Sequence, residues 1–327
     1  MTDFSLFKRI TIQGTLSEPT GVPNPQFSLP STVNWMHALA IIVADEDINF
    51  RTASSFYSSV VKRTFTPQEE NTIFEQLLFA LHQLSALEYM RSAPYKSDVS
   101  RVGIVTWYYG IYAAASATVA ALDGSFQDDH TGTANVWDTQ LAANSKVMMP
   151  FSLRVSTLVE ADYKKEIDTL KAGKSFELTS KPSNSMEALG ACYAYLSGSA
   201  AWWKWKSEEN VRGSREFNVL NVADFRTKNA RKLRDSRLSG KSVSFLHQAI
   251  RYRGKANYRE ALFLGYGNHV ETVLNEYVDD LSLVLQGFVV MAGAFACKRL
   301  GQLLWNEFLD DLDKNQSFQL SPKLIWQ

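Results

Sequence analysis

The residues best suited to chemistry lie between Arg226 and Arg259, where eleven basic side chains are accompanied by a single acid, Asp235. The whole chain is neutral, with 34 Lys and Arg against 34 Asp and Glu, so this positive charge is segregated. Clustered guanidinium and ammonium groups neutralise phosphates, and an arginine can bond one phosphate through two donors. The segment therefore predicts binding of a phosphate or a nucleic acid. The basic candidate contacts are Arg226, Lys228, Arg231, Lys232, Arg234, Arg237, Arg251, Lys255 and Arg259.

A structural interpretation of the same charges is equally open. The basic side chains could be solvated, or paired with the acids of 271–280 and 307–313 at about 0–1 kcal/mol for each surface pair. The run Trp202-Trp203-Lys204-Trp205-Lys206 also has two interpretations. Aromatic rings stack bases at roughly 1–3 kcal/mol per base in single-strand binders. Helical spacing, however, places Trp202 and Trp205 on one face and Trp203 elsewhere, which favours a packing surface or an oligomer contact.

The elements that must position these residues are predicted to be helices. The sequence Thr66-Pro67-Gln68-Glu69 is a capping signature for a helix that should run to about Arg91. An uncharged helix rich in tyrosine and alanine follows Arg101 and should end at Gly124. Further helices are predicted from Ser31 or Thr32 to the acidic triplet at 45–47, over 160–171, over 186–206 and from Glu271 onward. Because helical patterns follow one another without a strand–helix alternation, we predict an all-α fold, a helical bundle. Glycine-rich phosphate loops and a GxSxG elbow are missing, so nothing in the sequence indicates the classical enzyme classes that use them.

Composition limits the class of protein. With 45% hydrophobic and 21% charged residues, disorder over most of the chain is excluded. Cys192 and Cys297 are too far apart for a disulfide scaffold or a zinc knuckle, and the N-terminus lacks the apolar core of a signal peptide. We therefore expect two reduced, buried thiols and a cytoplasmic protein.

Two stretches are apolar enough to raise the question of a membrane. Residues 102–122 carry no charge but several hydroxyls, and residues 281–297 are more hydrophobic but short for the roughly 17–25 residues of a span. Helices that are apolar all round also occupy the centre of large helical cores. Buried helices are therefore predicted for both, with a membrane anchor at 281–297 as the less favoured alternative.

Three pieces of the chain, in order, resemble the HEPN superfamily of helical-bundle proteins. Residues 100–122 resemble its second helix, where a serine and an arginine lead into a tyrosine pair and small residues. The sequence DHTGTANVW at 129–137 is similar to a family loop with a histidine and a glycine before an aromatic residue. The sequence RYRGKANY at 251–258 resembles the R-x-x-A-x-Y segment through Arg253, Ala256 and Tyr258.

The resemblance implies a domain organisation. The predicted units are an N-terminal arm (1–33) with a short strand at Arg9–Gln13, a helical domain (34–313) and a C-terminal tail (314–327). Within the helical domain, the HEPN-like parts are 67–150 and 245–300, separated by a long insertion at 151–244.

The resemblance also implies a function. Many HEPN proteins are dimers, and many are ribonucleases or toxins of prokaryotic conflict systems that use an arginine and a histidine four to six residues apart. No histidine of this chain follows an arginine at that spacing, so the chain departs from the pattern. By resemblance, His130 would move a proton and Arg253 would hold the phosphate of an RNA or a nucleotide, with Tyr258 among the contacts. If the protein is an enzyme, it is then a metal-independent ribonuclease.

Partners follow from the same resemblance. A homodimer is expected, with an RNA or nucleotide ligand and with a protein partner in a defence or toxin–antitoxin complex as a further expectation. The alternative is a non-enzymatic subunit whose tryptophans and apolar helix 281–304 meet that partner. No cofactor or metal is expected, because Asp128, Asp129 and His130 are adjacent and lack the spacing of a metal site.

Overall fold

The computed structural model describes residues 25–266 and 270–327, together with Leu6, Arg9, Ile10 and Leu16. Within these residues the chain is predominantly helical and contains no strand, which confirms the predicted all-α fold. An isolated antiparallel bridge joins Val155 to Val243. The α-helices are α1 (Pro25–Asp45), α2 (Phe50–Phe56), α3 (Pro67–Met90), α4 (Lys96–Asp123), α5 (His130–Val136), α6 (Glu160–Lys171), α7 (Ser185–Arg212), α8 (Arg215–Val219), α9 (Lys228–Leu238), α10 (Phe245–Asn257), α11 (Val270–Leu274), α12 (Tyr277–Leu300), α13 (Gln302–Asn315) and α14 (Pro322–Trp326). Short π and 3-10 segments follow α5 at Trp137–Leu141 and Ala142–Asn144, and a 3-10 segment follows α10 at Arg259–Leu264.

Local capping chemistry sets the bounds of the helices that were read correctly from the sequence. Thr66 and Glu69 form the expected capping box at the start of α3, each side chain bonding the other residue's backbone N–H. Gly124 ends α4 in the left-handed conformation, with φ 81°. The acidic helix at 160–171 has the predicted bounds, and α1 ends at Asp45, where the acidic triplet begins.

The start of α1 differs from the prediction. The helix begins at Pro25 rather than at Ser31 or Thr32, whose hydroxyls instead donate back to the Ser28 carbonyl oxygen within the helix. The boundary predicted at residue 33 falls inside this helix. Of the strand predicted at Arg9–Gln13, Arg9 and Ile10 are helical, and 11–13 lie outside the described residues.

The core lies where α4 crosses α12, with α3 and α1 packed against them. Close approach of α4 and α12 requires a glycine, because a Cβ atom on Gly110 would lie 2.6 Å from Leu285 Cδ2. The apolar stretch 281–297 forms most of α12, and its side chains are largely buried by the surrounding helices. Both cysteines are buried and free, as expected.

Two helical stretches, Phe27–Asp45 and Val270–Leu300, are long and apolar enough to cross a membrane by length and composition. The most apolar window of the second is 89% buried inside the protein and that of the first 67%. Burial of this extent is what core helices of a large bundle show. The uncharged stretch 102–122 likewise lies mostly in the core.

Candidate functional site

His130 and Arg253 both pack against a surface of α4 formed by Tyr108, Tyr109 and Tyr112, which we call the tyrosine wall. His130 is the first residue of α5, which Asp129 caps by accepting a hydrogen bond from the Gly132 N–H at 2.8 Å. The imidazole packs against α4, with ring-centroid distances of 4.1 Å to Tyr112, 5.4 Å to Tyr108 and 5.9 Å to Tyr109. The uncharged helix therefore supplies the surface on which the histidine rests.

Arg253 reaches the same wall from α10, which packs against α4. Its guanidinium carbon lies 4.6 Å from the centroid of the Tyr108 ring, within the range of a cation–π contact. Arg253 is half-buried, and none of the described acidic side chains lies within 4.0 Å of its guanidinium. None of the described side chains therefore neutralises the positive charge at this position.

The surroundings favour the neutral form of His130. Burial lowers the pKa of its imidazole, the positive charge of Arg253 lowers it further, and Asp129 acts in the opposite direction. The Nδ1 atom is buried and has no hydrogen-bond partner among the described residues. A neutral imidazole with an unoccupied nitrogen can accept a proton or a hydrogen bond.

The tyrosine hydroxyls around His130 have different surroundings. The Tyr108 hydroxyl is buried without a partner, and burial raises the pKa of this phenol. The Tyr112 hydroxyl donates to the Gln127 carbonyl oxygen at 3.4 Å. Tyr109 and Tyr258 are exposed, by 42% and 68%, because they lie at the edge of the bundle rather than in its core.

Arg101 is a positioning residue that the sequence did not single out. Its Nε donates to the Ala256 carbonyl oxygen at 2.7 Å, which ties α4 to the last turn of α10 near Arg253. Free carbonyl groups at a helix C-terminus are favourable partners for a cation. The arginine at the start of the uncharged helix was noted only as part of the family resemblance, so its partner was not foreseen.

The basic segment is divided between two helices, and local acids neutralise part of it. Arg226 pairs with Asp224 at 3.1 Å. Arg237 pairs with Glu216 at 2.8 Å, and Arg234 pairs with Asp235 at 2.8 Å and lies 3.8 Å from Glu208. These acids lie on α7, on α8 or between 224 and 235, and none belongs to the ranges 271–280 or 307–313.

Most acids of those two ranges have partners elsewhere, and among the described residues none of them pairs with a cation of the basic segment. Glu271 accepts from the backbone N–H groups of Lys96 and Ser97 at the start of α4. The other partners in these ranges are Lys181 for Glu276, Arg91 for Asp279, His37 for Asp280 and Lys323 for both Asp310 and Asp313.

Three exposed cations of α9 have no acidic partner among the described residues: Lys228, Arg231 and Lys232. Their spacing of three and four residues places them on one side of the helix. Together with Arg253, they are cations of the basic segment that remain available to a phosphate backbone.

Arg251 and Lys255 point into the protein rather than to solvent. Arg251 donates to the Ser199 hydroxyl at 3.2 Å and lies over the Tyr195 ring. Lys255 is 7% exposed, pairs with Glu260 at 3.1 Å and donates to the Ser31 hydroxyl at 3.3 Å. Burial lowers the pKa of this amine, with Glu260 opposing the shift. Lys255 thus joins α10 to α1, and the side chain of Arg259 lies outside the described residues.

The tryptophan run of α7 is mainly a packing feature. The half-buried Trp203 donates its Nε1–H to the His247 carbonyl oxygen at 3.3 Å. Lys206 lies 5.3 Å from the Trp202 ring centroid and 5.1 Å from that of Trp203, whereas Trp205 is 55% exposed. Only Trp205 presents a large aromatic surface to solvent.

In the part of the chain that the structure describes, no group of three or more His, Cys, Asp or Glu side chains could hold a metal ion. Compared with known proteins, the chain matches no family model, no curated protein and no solved structure. The geometry around His130 and Arg253 is therefore the basis for a functional assignment.

Proposed function

We propose that this protein binds RNA or a nucleotide and that Arg253 holds one of the phosphates of that ligand. The observation that carries the proposal is the unneutralised Arg253 guanidinium on the tyrosine wall beside His130. A half-buried arginine without a carboxylate is a strong donor for an anion, and a phosphate accepts two of its N–H groups at once.

The surrounding side chains fit such a ligand. His130 is held in its neutral form and can bond a phosphate or sugar hydroxyl, and the exposed ring of Tyr109 offers a flat surface to a base. Lys228, Arg231 and Lys232 on α9 would add charge contacts to a longer nucleic acid. The resemblance to HEPN proteins points in the same direction and suggests a role in a prokaryotic defence or toxin–antitoxin system, in a homodimeric protein.

A catalytic version of the proposal is phosphodiester cleavage in RNA. The ribose 2′-oxygen would attack the neighbouring phosphorus while neutral His130 takes the proton of that hydroxyl. Arg253 would stabilise the charge that develops on the phosphate oxygens. The bond from phosphorus to the 5′-oxygen then breaks, and that oxygen takes up a proton from the solvent, which gives a 2′,3′-cyclic phosphate and a 5′-hydroxyl end. His130 afterwards releases the proton that it accepted to the solvent. In a non-enzymatic subunit, Arg253 would hold the phosphate in the same way, but His130 would transfer no proton.

The test compares the binding of a labelled RNA by the wild type, Arg253→Ala and the control Arg51→Ala. Arg51 is exposed on α2, and its side chain makes no ion pair with any described acid. We expect weaker binding for Arg253→Ala alone, and binding that is lost at high salt. Equal affinity of all three proteins for RNA and nucleotides at low salt is incompatible with the proposal.

The catalytic version has its own readout. RNA incubated with the wild type should acquire 5′-hydroxyl ends, and His130→Ala and Arg253→Ala should abolish this while their circular dichroism spectra stay unchanged. If all three proteins leave RNA intact but still differ in binding, the protein is a binding subunit rather than a ribonuclease.

A further inference from the structure

A second surface, unrelated to the basic helices, lies between α3 and α13. It is a cavity of about 360 Å³ whose floor consists of apolar side chains and whose edge carries three carboxylates. The floor residues are Phe74 and Leu78 of α3 and Phe308 and Leu312 of α13; the edge residues are Glu75, Glu307 and Asp311. We call this surface the acidic groove.

The floor of the acidic groove is apolar and joins its two helices. The rings of Phe74 and Phe308 stack at a centroid distance of 4.4 Å, and this contact bridges the two helices. Phe79, next to Leu78, and Leu303, one turn before Glu307, are 47% and 78% exposed and add apolar surface on the same helices. Apolar surface of this kind is favourable to cover.

The edge of the groove carries unneutralised negative charge. No described basic side chain lies within 4.0 Å of the carboxylates of Glu75, Glu307 or Asp311. Among the described residues, Glu75 accepts from the Gln76 amide and Asp311 from the Asn315 amide. By contrast, Asp310 and Asp313 on the same helix share Lys323. An acidic edge repels nucleic acids and anionic lipids and attracts cations.

The apolar floor and the acidic edge of the groove together indicate a ligand that is apolar on one side and positively charged beside it. We propose that the acidic groove binds a helical segment of a partner protein that has an apolar face flanked by lysines or arginines. A groove between two helices accepts a third helix through side chains spaced by three and four residues. The basic flanks of that segment would pair with Glu75, Glu307 and Asp311, and its apolar side chains would cover Phe74 and Phe308.

The first experiment uses a fluorescent synthetic peptide of leucine and lysine designed as an amphipathic helix. Its binding to the full-length protein is followed by anisotropy at low salt, beside a peptide of the same composition in scrambled order. We expect the amphipathic peptide to bind and the scrambled one to bind about tenfold more weakly, because only the former presents a continuous apolar face. Equal binding of the two peptides, or no binding of either, overturns the proposal.

Charge reversal locates the site. Glu307→Lys/Asp311→Lys should weaken peptide binding by about tenfold or more, since attraction is replaced by repulsion at two positions. The matched control Asp168→Lys/Glu177→Lys makes the same change of charge at exposed acids near α6 and should bind as the wild type does. An equal loss in the control would assign the binding to overall charge and contradict the proposal.

A second copy of the chain is the competing occupant, and light scattering separates the two. If the wild type self-associates and Glu307→Lys/Asp311→Lys does not, the groove is a contact between copies and the partner proposal is wrong. An unchanged molecular mass in both proteins, together with the peptide results above, supports a separate partner. RNA binding by the same variants reports on Arg253 independently, so the two proposals can fail separately.

Discussion

The Arg253 guanidinium lies 4.6 Å from the centre of the Tyr108 ring, and this contact joins the two halves of the candidate site. Arg253 belongs to α10, whereas Tyr108 lies on the central helix α4 and also contacts His130. One ring therefore places a cation and an imidazole side by side. Because the charge of Arg253 acts on the pKa of His130, replacing Arg253 should produce a measurable change in that pKa.

The first prediction concerns the pKa of His130. Replacing Arg253 by Gln removes a positive charge that lowers this pKa, so the value should rise, although burial continues to hold it down. An NMR titration of the histidine side chains measures the change directly. Arg51→Ala should leave the titration of His130 as in the wild type, and an unchanged pKa in Arg253→Gln would show that the two side chains are not electrostatically coupled.

The second prediction concerns the contact between α4 and α12. In Gly110→Ala the new methyl group would meet Leu285 Cδ2 at 2.6 Å and Gln83 Cβ at 3.1 Å, so Leu285 must repack or the helices must move apart. Overpacking of this kind destabilises a core by about 1–3 kcal/mol. Denaturant unfolding measures the loss. Gly240→Ala is the control, because a Cβ atom there meets nothing within 4 Å and its free energy of unfolding should change little.

Local signals explain why the bounds of several helices could be predicted. The capping box of Thr66 and Glu69, and Gly124 after the last turn of α4, act on the backbone within a few residues. The start of α1 was missed because serine and threonine hydroxyls also bond back to a helix carbonyl, as Ser31 and Thr32 do. Residue type alone does not show whether a serine or threonine caps a helix or bonds to a carbonyl oxygen inside it.

The candidate site was only partly accessible from the sequence, because charge pairing depends on residues that are distant along the chain. His130 and Arg253 were named through the family resemblance, and the structure places both against Tyr108. Lys255 was counted among the phosphate contacts, but its burial and its pairing with Glu260 depend on how α10 packs onto α1. A basic run therefore predicts positive charge without showing which cations remain free.

The third prediction concerns stability at acid pH and rests on His247, which is almost fully buried in α10. Burial lowers its pKa from 6.5 to about 4, and its ring nitrogens bond Ser244 and the Asn135 side chain. As the pH falls below 6.5, His247 becomes protonated in the unfolded chain but stays neutral in the folded protein. The free energy of unfolding therefore decreases progressively until about pH 4, where the folded protein also binds the proton. At about 1.4 kcal/mol per pKa unit, the loss is about 3 kcal/mol.

The measurement is denaturant unfolding of the wild type and His247→Asn across this pH range. The variant is expected to be less stable at neutral pH, because it loses packing and hydrogen bonds, but its stability should fall less steeply between neutral and acid pH. Parallel pH curves for the two proteins would show that another group is responsible for the acid sensitivity.

The last prediction separates the phosphate contact at Arg253 from those on α9. Each phosphate neutralised on a single strand contributes about 0.7 to the slope of log affinity against log salt concentration. Arg253→Ala should therefore reduce the slope for single-stranded RNA by about 0.7, and the triple change of Lys228, Arg231 and Lys232 to Ala by about 2. The matched triple change of Arg226, Arg234 and Arg237, which are already paired with acids, should alter the slope far less. Both sets lie within the same basic segment. A similar reduction of the slope for both would mean that the ion pairs open when RNA binds. In that case the total positive charge, and not the absence of a neighbouring acid, would determine which cations contact the RNA.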